Sequence, residues 1–150
     1  MTPFCGAHRV PRAGLDVIDA AEPALAVVRL AMSLPPAAET VALILDAERR
    51  GRSVVVVDGT VDPDAVVEVV ERLADAIAVA GESGALVVAT VRPGGALLPD
   101  DGDRWMEASQ LAELVGVDFL EWFVVGDDGR GTLTISCPRD LLAEPPRWSG

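Results

Sequence analysis

Hydrophobic residues recur along this chain in two patterns, and together the patterns predict an α/β domain. Short runs rich in valine, leucine and isoleucine, bounded by Gly, Pro or Asp, predict strands. Longer segments with apolar residues three and four positions apart predict amphipathic helices. The predicted strands are 40–46, 53–58, 85–91, 117–125 and 132–137. The predicted helices cover about 19–34, 62–81 and 104–115, with a helical turn at 138–142.

The order of these elements, α-β-β-α-β-α-β-β, predicts a mixed sheet of about five strands with helices packed on it. A hairpin joins the first two strands through the polar turn 47–52, and a crossover helix follows. Both hairpin strands are almost continuously apolar, which is typical of strands covered on both faces. Residues 1–18 and 144–150 lack periodicity and are predicted to be tails of a single domain that spans 19–143.

Composition and charge limit the function classes open to this chain. Its 150 residues suffice for one domain with a real core, and 50% of them are hydrophobic. The formal charge of -12 repels phosphate backbones, so we expect no nucleic-acid partner. The sequence contains no apolar run of membrane-spanning length and no apolar segment typical of a signal peptide. We therefore expect a cytoplasmic protein without a membrane partner.

The cysteines indicate neither a disulfide framework nor a complete metal site. Cys5 and Cys137 lie far apart in the sequence, and a reducing compartment is the default for two such thiols. Cys5 and His8 have the spacing of half a zinc site, but the chain holds only one other cysteine and no other histidine. Cys137 also lacks a histidine partner that would activate it as a nucleophile. The sequence predicts no cofactor.

The segment 86–103 is the place where chemistry would be expected in such a domain. A predicted strand ends there, the chain turns at 92–95 (RPGG), and Asp100, Asp101 and Asp103 precede a helix. Function in α/β proteins is concentrated where a strand passes through a loop into a helix. Asp103 is predicted to cap that helix. The three aspartates lack the ligand alternation and closing Glu of a calcium-binding EF-hand, which favours a solvated acidic loop.

Four short segments carry a family resemblance. They are ETVALILD at 39–46, TVRPGG at 90–95, GVDFL at 116–120 and FVVG at 123–126. In order, spacing and predicted elements they resemble the JAB/MPN metalloprotease-like domain and, within it, the RadC-like branch. The resemblance covers about residues 20–142 and implies a three-layer, cytidine-deaminase-like fold of the α/β (α+β) class. In RadC-like proteins two His and an Asp bind zinc, a distant Glu is the general base, and a Ser helps to stabilise the oxyanion.

This resemblance places each functional position of the family on a residue of this chain. Thr90 and Arg92 occupy the two zinc-binding His positions. Asp103 holds the Asp position, Asp100 stands where the Ser is expected, and Glu39 matches the general base. An arginine stays protonated and offers no lone pair to a metal, and threonine is a poor substitute for histidine. We therefore expect no zinc here and hypothesise that the Arg92 guanidinium replaces the metal and ties the three carboxylates together.

The degenerate metal positions favour a catalytically inactive RadC-like domain that acts as a protein-binding or assembly module. Metal-free members of the wider superfamily commonly act as scaffolds, so the resemblance permits this role. The partner would be another protein or a second copy of the chain. Arg92, Arg104 and Trp148 are the candidate partner-binding residues.

A hydrolase with altered chemistry is the alternative function. It would use Glu39, Asp100 and Asp103 as a hard-metal site or as acid and base groups at the same cleft. This alternative requires the three carboxylates to converge without Arg92 neutralising them. A third possibility, a nucleic-acid module suggested by the RadC label, conflicts with the acidic charge.

Overall fold

The computed structural model describes residues 10–81 and 84–148. Its helices are α1 (Ala21–Ala31), α2 (Ala65–Val79) and α3 (Asp101–Leu114). Its strands are β1 (Glu39–Leu45), β2 (Gly51–Asp58), β3 (Ala85–Arg92), β4 (Asp118–Asp127) and β5 (Leu133–Ser136). A 3-10 helix at Pro138–Leu142 follows β5. Cys5 and His8, which form the half zinc site noted in the sequence, lie outside the described residues.

The five strands form one mixed sheet in the order β2-β1-β3-β4-β5. β1 pairs antiparallel with both β2 and β3, and β4 pairs antiparallel with β5. β3 and β4 run parallel, and α3 supplies the crossover that a parallel pair requires. The predicted α/β class, with a mixed five-stranded sheet and three helices, is confirmed.

Helices cover both faces of the sheet and divide the core into two clusters. α1 packs on one face, which we call the α1 face, and α2 and α3 pack on the other, the α2/α3 face. Buried side chains of the α1 face include Val28, Val41, Leu43, Val91 and Phe123. Buried side chains of the α2/α3 face include Val70, Leu86, Val88, Trp105 and Trp122. β3 supplies both clusters because successive side chains of a strand point to opposite faces.

Strand β2 differs from the prediction that both hairpin strands are covered on both faces. β1 is buried along nearly its whole length, whereas β2 lies at the edge of the sheet. Val54 and Val56 lie opposite Leu43 and Val41, so they belong to the α1 face, yet they are 48% and 41% exposed. The run of valines correctly indicates a strand. Its apolar character does not reveal that α1 stops short of this edge.

Helix α3 begins at Asp101, three residues before the predicted start at Arg104. The predicted cap, Asp103, lies inside the first turn, and its side chain is exposed. Asp100 takes the N-cap position without a side-chain hydrogen bond to the helix. The Asp101 carboxylate instead accepts the backbone N–H of Leu98 at 2.7 Å, which fixes the turn from the loop into the helix.

Both predicted tails contribute to the folded unit within the described residues. The backbone N–H of Ile18 donates to the carbonyl of Arg49 at 2.8 Å, and the Ile18 side chain is 2% exposed. At the other end, Arg147 donates from Nη1 to the Phe119 carbonyl at 3.0 Å and to Ser109 Oγ at 3.1 Å. Ile18 and Arg147, which lie outside the predicted limits of 19–143, therefore contact the folded unit.

The three helices are 11, 15 and 14 residues long in chain order. A helix needs about 20 apolar residues to cross a bilayer. Within residues 10–81 and 84–148, no helix has the length and apolar character to do so.

Candidate functional site

The buried carboxylate of Asp101 lies at the centre of an ion-pair cluster at the end of β3. Arg92 holds it with two hydrogen bonds, Nη1 to Oδ2 at 2.7 Å and Nη2 to Oδ1 at 3.0 Å. Arg104 donates from Nη1 to Oδ1 at 2.9 Å and from Nε to Asp64 Oδ1 at 2.8 Å. The Leu98 N–H completes the set. We call Asp64, Arg92, Asp101 and Arg104 the Asp101 cluster.

The Asp101 carboxylate is fully buried and fully hydrogen-bonded. Its side chain is 0% exposed, and those of Arg92 and Arg104 are 14% exposed. Burial acts to raise the pKa of Asp101, but the hydrogen bonds from Arg92, Leu98 and Arg104 outweigh burial and hold the pKa below its ordinary value. Four donors meet the roughly four lone-pair positions of a carboxylate. The ionised group therefore has no lone pair open to a metal.

The sheet beneath the cluster uses the side chains next to Arg92. Trp122 Nε1 donates to Thr90 Oγ1 at 2.9 Å, and Thr90 is only 6% exposed. The Arg92 guanidinium carbon lies 5.8 Å from the centroid of the Trp122 ring, within cation–π range. The Trp122 indole thus donates a hydrogen bond to the Thr90 hydroxyl and also lies within cation–π range of Arg92.

The loop after β3 is fixed against the end of β4. The backbone N–H of Gly94 donates to Asp127 Oδ1 at 2.9 Å. Gly126 has no side chain where the carbonyl of Gly95 passes over it, and a Cβ at this position would collide with that carbonyl. The glycines therefore allow a close backbone approach between the loop after β3 and the end of β4.

Glu39, the candidate general base, lies on the other face of the sheet. It is paired with Val91 across β1 and β3, and direct partners in an antiparallel ladder point to the same face. The Val91 side chain belongs to the α1 face, whereas Arg92 stacks near Trp122 on the α2/α3 face. Glu39 is 1% exposed and accepts the N–H and hydroxyl of Ser33 at 2.6 and 2.8 Å. The sheet separates Glu39 from the Asp101 cluster.

The partner of Arg92 differs from the one hypothesised from the sequence. Arg92 pairs with Asp101, while Asp100 and Asp103 are exposed to solvent at the start of α3. The sequence interpretation missed Asp101 because it placed the helix start at Arg104. A helix that starts earlier brings Asp101 and Arg104 together as an i, i+3 pair, and this spacing is the signal that could have found it.

The three residues that the resemblance assigns to metal positions do not fit a zinc ion. Thr90 is hydrogen-bonded to an indole, Arg92 is a cation held by a carboxylate, and Asp103 is exposed. Tetrahedral zinc takes Cys, His or carboxylate ligands. Across the described ranges 10–81 and 84–148, no group of three or more His, Cys, Asp or Glu side chains is placed to hold a metal ion.

The carboxylates of the alternative hydrolase do not converge either. Glu39 is buried on the α1 face with Ser33, while Asp100 and Asp103 are exposed beside the Asp101 cluster. Arg92 also neutralises the one carboxylate that is buried there, Asp101. This arrangement does not provide the shared cleft that an all-carboxylate site requires.

A second buried ion pair, Glu121 with Arg139, joins β4 to the 3-10 helix. Glu121 is 0% exposed and accepts Arg139 Nε at 2.9 and 3.1 Å. Burial raises the pKa of Glu121, and Arg139 offsets this effect only in part. Burial and then the charge of Glu121 raise the pKa of the neighbouring Cys137 thiol to about 12. Such a thiol is almost entirely protonated at neutral pH, which argues for a structural role.

The other two partner-binding candidates are also engaged within the chain. Arg104 bridges Asp101 and Asp64, so its charge is already paired. Trp148 is partly buried and packs against the core of the α1 face. The terminal segment before it is held by Arg147, whose guanidinium carbon lies 4.3 Å from the centroid of the Trp105 ring.

Comparison with known proteins identifies no relative for this chain. No family model, no curated protein and no solved structure matches it. The resemblance to RadC-like domains therefore stays a prediction from the sequence.

Proposed function

We propose that this chain is a catalytically inactive protein-binding or assembly module, built on a RadC-like JAB/MPN fold with a degenerate metal motif. The mixed sheet, the strand-to-helix loop after β3 and the order of elements are compatible with that fold.

One observation carries the proposal: the Arg92–Asp101 pair occupies the loop where the resemblance would put the metal. Arg92 binds the Asp101 carboxylate through two hydrogen bonds, and the lone pairs of that carboxylate are all used by donors. Neither side chain is therefore available as an acid, base or metal ligand at neutral pH. The pair explains why the loop retains a catalytic position in the fold without catalytic residues.

The position of Glu39 supports the same conclusion. A general base must reach the water or substrate that the rest of the site holds. Glu39 is buried on the α1 face and bound to Ser33, so the Asp101 cluster and Glu39 act on opposite sides of the sheet.

Metal analysis of the purified full-length chain tests this proposal. We expect less than about 0.1 zinc per chain after expression with added zinc, and no saturable binding of Zn²⁺ or Mn²⁺ by titration calorimetry. A Cys5→Ser variant serves as control for adventitious thiol binding near His8. Stoichiometric metal that is lost in Asp103→Asn, and retained in Cys5→Ser, would overturn the proposal and favour the altered hydrolase.

A further inference from the structure

Within residues 10–81 and 84–148, the outer edge of β2 is unpaired along most of its length. The carbonyl of Gly51 accepts the N–H of Gly14 at 2.8 Å, and Val17 forms an isolated bridge with Arg50, so the segment before α1 covers the start of the strand. From residue 52 to residue 58, no backbone hydrogen bond from residues 10–81 or 84–148 reaches this edge. Free N–H and C=O groups in a row are a template for another strand.

Arg52 is the extra residue of a bulge at the start of β2, but residues 53–57 lack the usual protection against strand pairing. Proteins commonly protect edges with lysine, proline, a bulge or an inward-pointing charge. The stretch SVVVV at 53–57 contains no charge and no proline. The register shift of β2 falls opposite Ile44 and Leu45, at the start of the strand, and leaves the pairs from Ser53 to Asp58 regular.

An apolar surface adjoins the open edge on the α1 face. Val54 and Val56 are exposed there. Val54 also lines a groove together with Ile18, Val27 and Leu43. Arg52 lines the same groove, and Asp58 lies opposite Glu39 on the same face. Along the α1 face of β2, the side chains are therefore basic at Arg52, apolar at Val54 and Val56, and acidic at Asp58.

We infer that the occupant of this edge is a second copy of the chain, with the two β2 strands paired antiparallel around a two-fold axis at Val55. This register sets Val54 against Val56 of the second copy and Arg52 against Asp58 of the second copy. The two-fold axis repeats each contact, so two valine pairs and two ion pairs form. The sheets of both copies then join into one continuous sheet of ten strands, twice the five of each chain.

Charge complementarity favours a second copy over an unrelated strand. A strand that is basic at one end and acidic at the other matches itself only in the antiparallel sense, because parallel pairing would place like charges together. Shifting the axis to Val54 would set Arg50 against Asp58, but the segment before α1 already covers the edge at Arg50. Arg52 also makes contacts within its own chain, and its five donors can serve both.

Sedimentation equilibrium of the full-length chain at physiological salt tests this inference, which names the partner left open by the proposed function. We expect a reversible dimer at micromolar concentrations. Val56→Lys should raise the dimer Kd by about tenfold or more, since it places a charge within the valine pairs. Val79→Lys is the matched control, because Val79 is 88% exposed on α2, and should leave Kd unchanged.

Charge reversal tests the register. Arg52→Asp and Asp58→Arg should each weaken self-association by about tenfold, because each sets like charges opposite one another. An equimolar mixture of these two variants should restore dimers, since every cross-strand pair is then of opposite charge. Circular dichroism confirms that each variant is folded.

A chain that is monomeric at 100 μM overturns the dimer, as does a dimer that tolerates Val56→Lys and both charge reversals. If the equimolar mixture of Arg52→Asp and Asp58→Arg does not form dimers, the register centred on Val55 is wrong. None of these results bears on the proposed function. That proposal is overturned instead by stoichiometric metal binding that depends on Asp103. A partner strand from another protein, captured by the monomeric chain, would count against the second copy as occupant.

Discussion

The pairing of Arg92 with Asp101 shows how one cation changes the chemistry open to a strand-to-helix loop. A carboxylate buried at the end of a strand would be costly without partners. Arg92 supplies two hydrogen bonds, Arg104 supplies one, and the backbone of Leu98 supplies another. The charge is thereby held in the core, and these hydrogen bonds fix the loop to the start of α3.

Replacing Arg92 with methionine should destabilise the fold strongly. Arg92→Met leaves Asp101 buried with a weaker set of donors, and breaking a buried pair on one side costs about 3 kcal/mol. Urea unfolding followed by circular dichroism measures this loss in the free energy of unfolding.

Arg72→Met is the control for that substitution. Arg72 pairs with Glu68 at 3.0 Å, but the two side chains are 77% and 64% exposed. Because exposed pairs contribute little, we expect a change below about 0.5 kcal/mol. Equal losses in Arg92→Met and Arg72→Met would show that the buried pair has no special importance.

At the scale of secondary-structure elements, the segment after the 3-10 helix acts as a strap across α3 and β4. Trp105 Nε1 donates to Glu144 Oε2 at 3.0 Å, and Arg147 lies over the Trp105 ring. Arg147 also donates to the backbone of Phe119 on β4. The segment predicted as a tail therefore closes the α2/α3 face over a buried tryptophan.

Removing the Arg147 side chain should loosen this strap. Arg147→Ala loses the contact with the Trp105 ring and the hydrogen bonds to Ser109 and Phe119, at a cost of about 1.5 kcal/mol. For a domain of this size we expect the thermal midpoint to fall by roughly 3–6 °C, measured by calorimetry. Arg130→Ala, in the exposed turn between β4 and β5, should leave the midpoint unchanged. An equal fall in both variants would contradict the role of the strap.

At the scale of the whole molecule, Asp101 should make stability depend on acid pH. Its pKa is lower in the folded chain than in the unfolded chain, where an aspartate titrates at about 3.9. A group with a depressed folded pKa contributes stability above the unfolded pKa, and this stability is lost as pH falls through the folded pKa. The difference in the free energy of unfolding between the wild type and Asp101→Asn, which we call the gap, should therefore be largest above about pH 5 and shrink below about pH 4.

Urea unfolding at a series of pH values measures this gap. Asp103→Asn is the control, because Asp103 is exposed in the same helix turn and should show a small, flat difference. A gap for Asp101→Asn that stays constant from pH 7 to pH 3 would mean that the ionised carboxylate does not stabilise the fold. Glu121, whose pKa is raised by burial, acts in the opposite direction and should be measured separately through Glu121→Gln.

Local sequence determined the elements of this fold. The runs of β-branched residues identify all five strands, and the spacing of apolar residues identifies the three helices, because both signals depend on how one segment presents a face to a core. The expectation that Arg92 pairs with a carboxylate rests on the resemblance to RadC-like domains, which assigns Arg92 to a metal-binding position.

Only the tertiary structure decided which residues meet. Asp101 became the partner of Arg92 because α3 begins three residues earlier than its apolar stripe indicates. Glu39 was separated from that pair because strand register, set by β1 and β3 together, assigns it to the α1 face. β2 lies at the edge of the sheet because strand order is a property of the whole sheet. Hydrophobic periodicity is a property of one segment. Strand register, the face of the sheet on which a side chain lies and its neighbours in space all depend on segments that are distant in the chain.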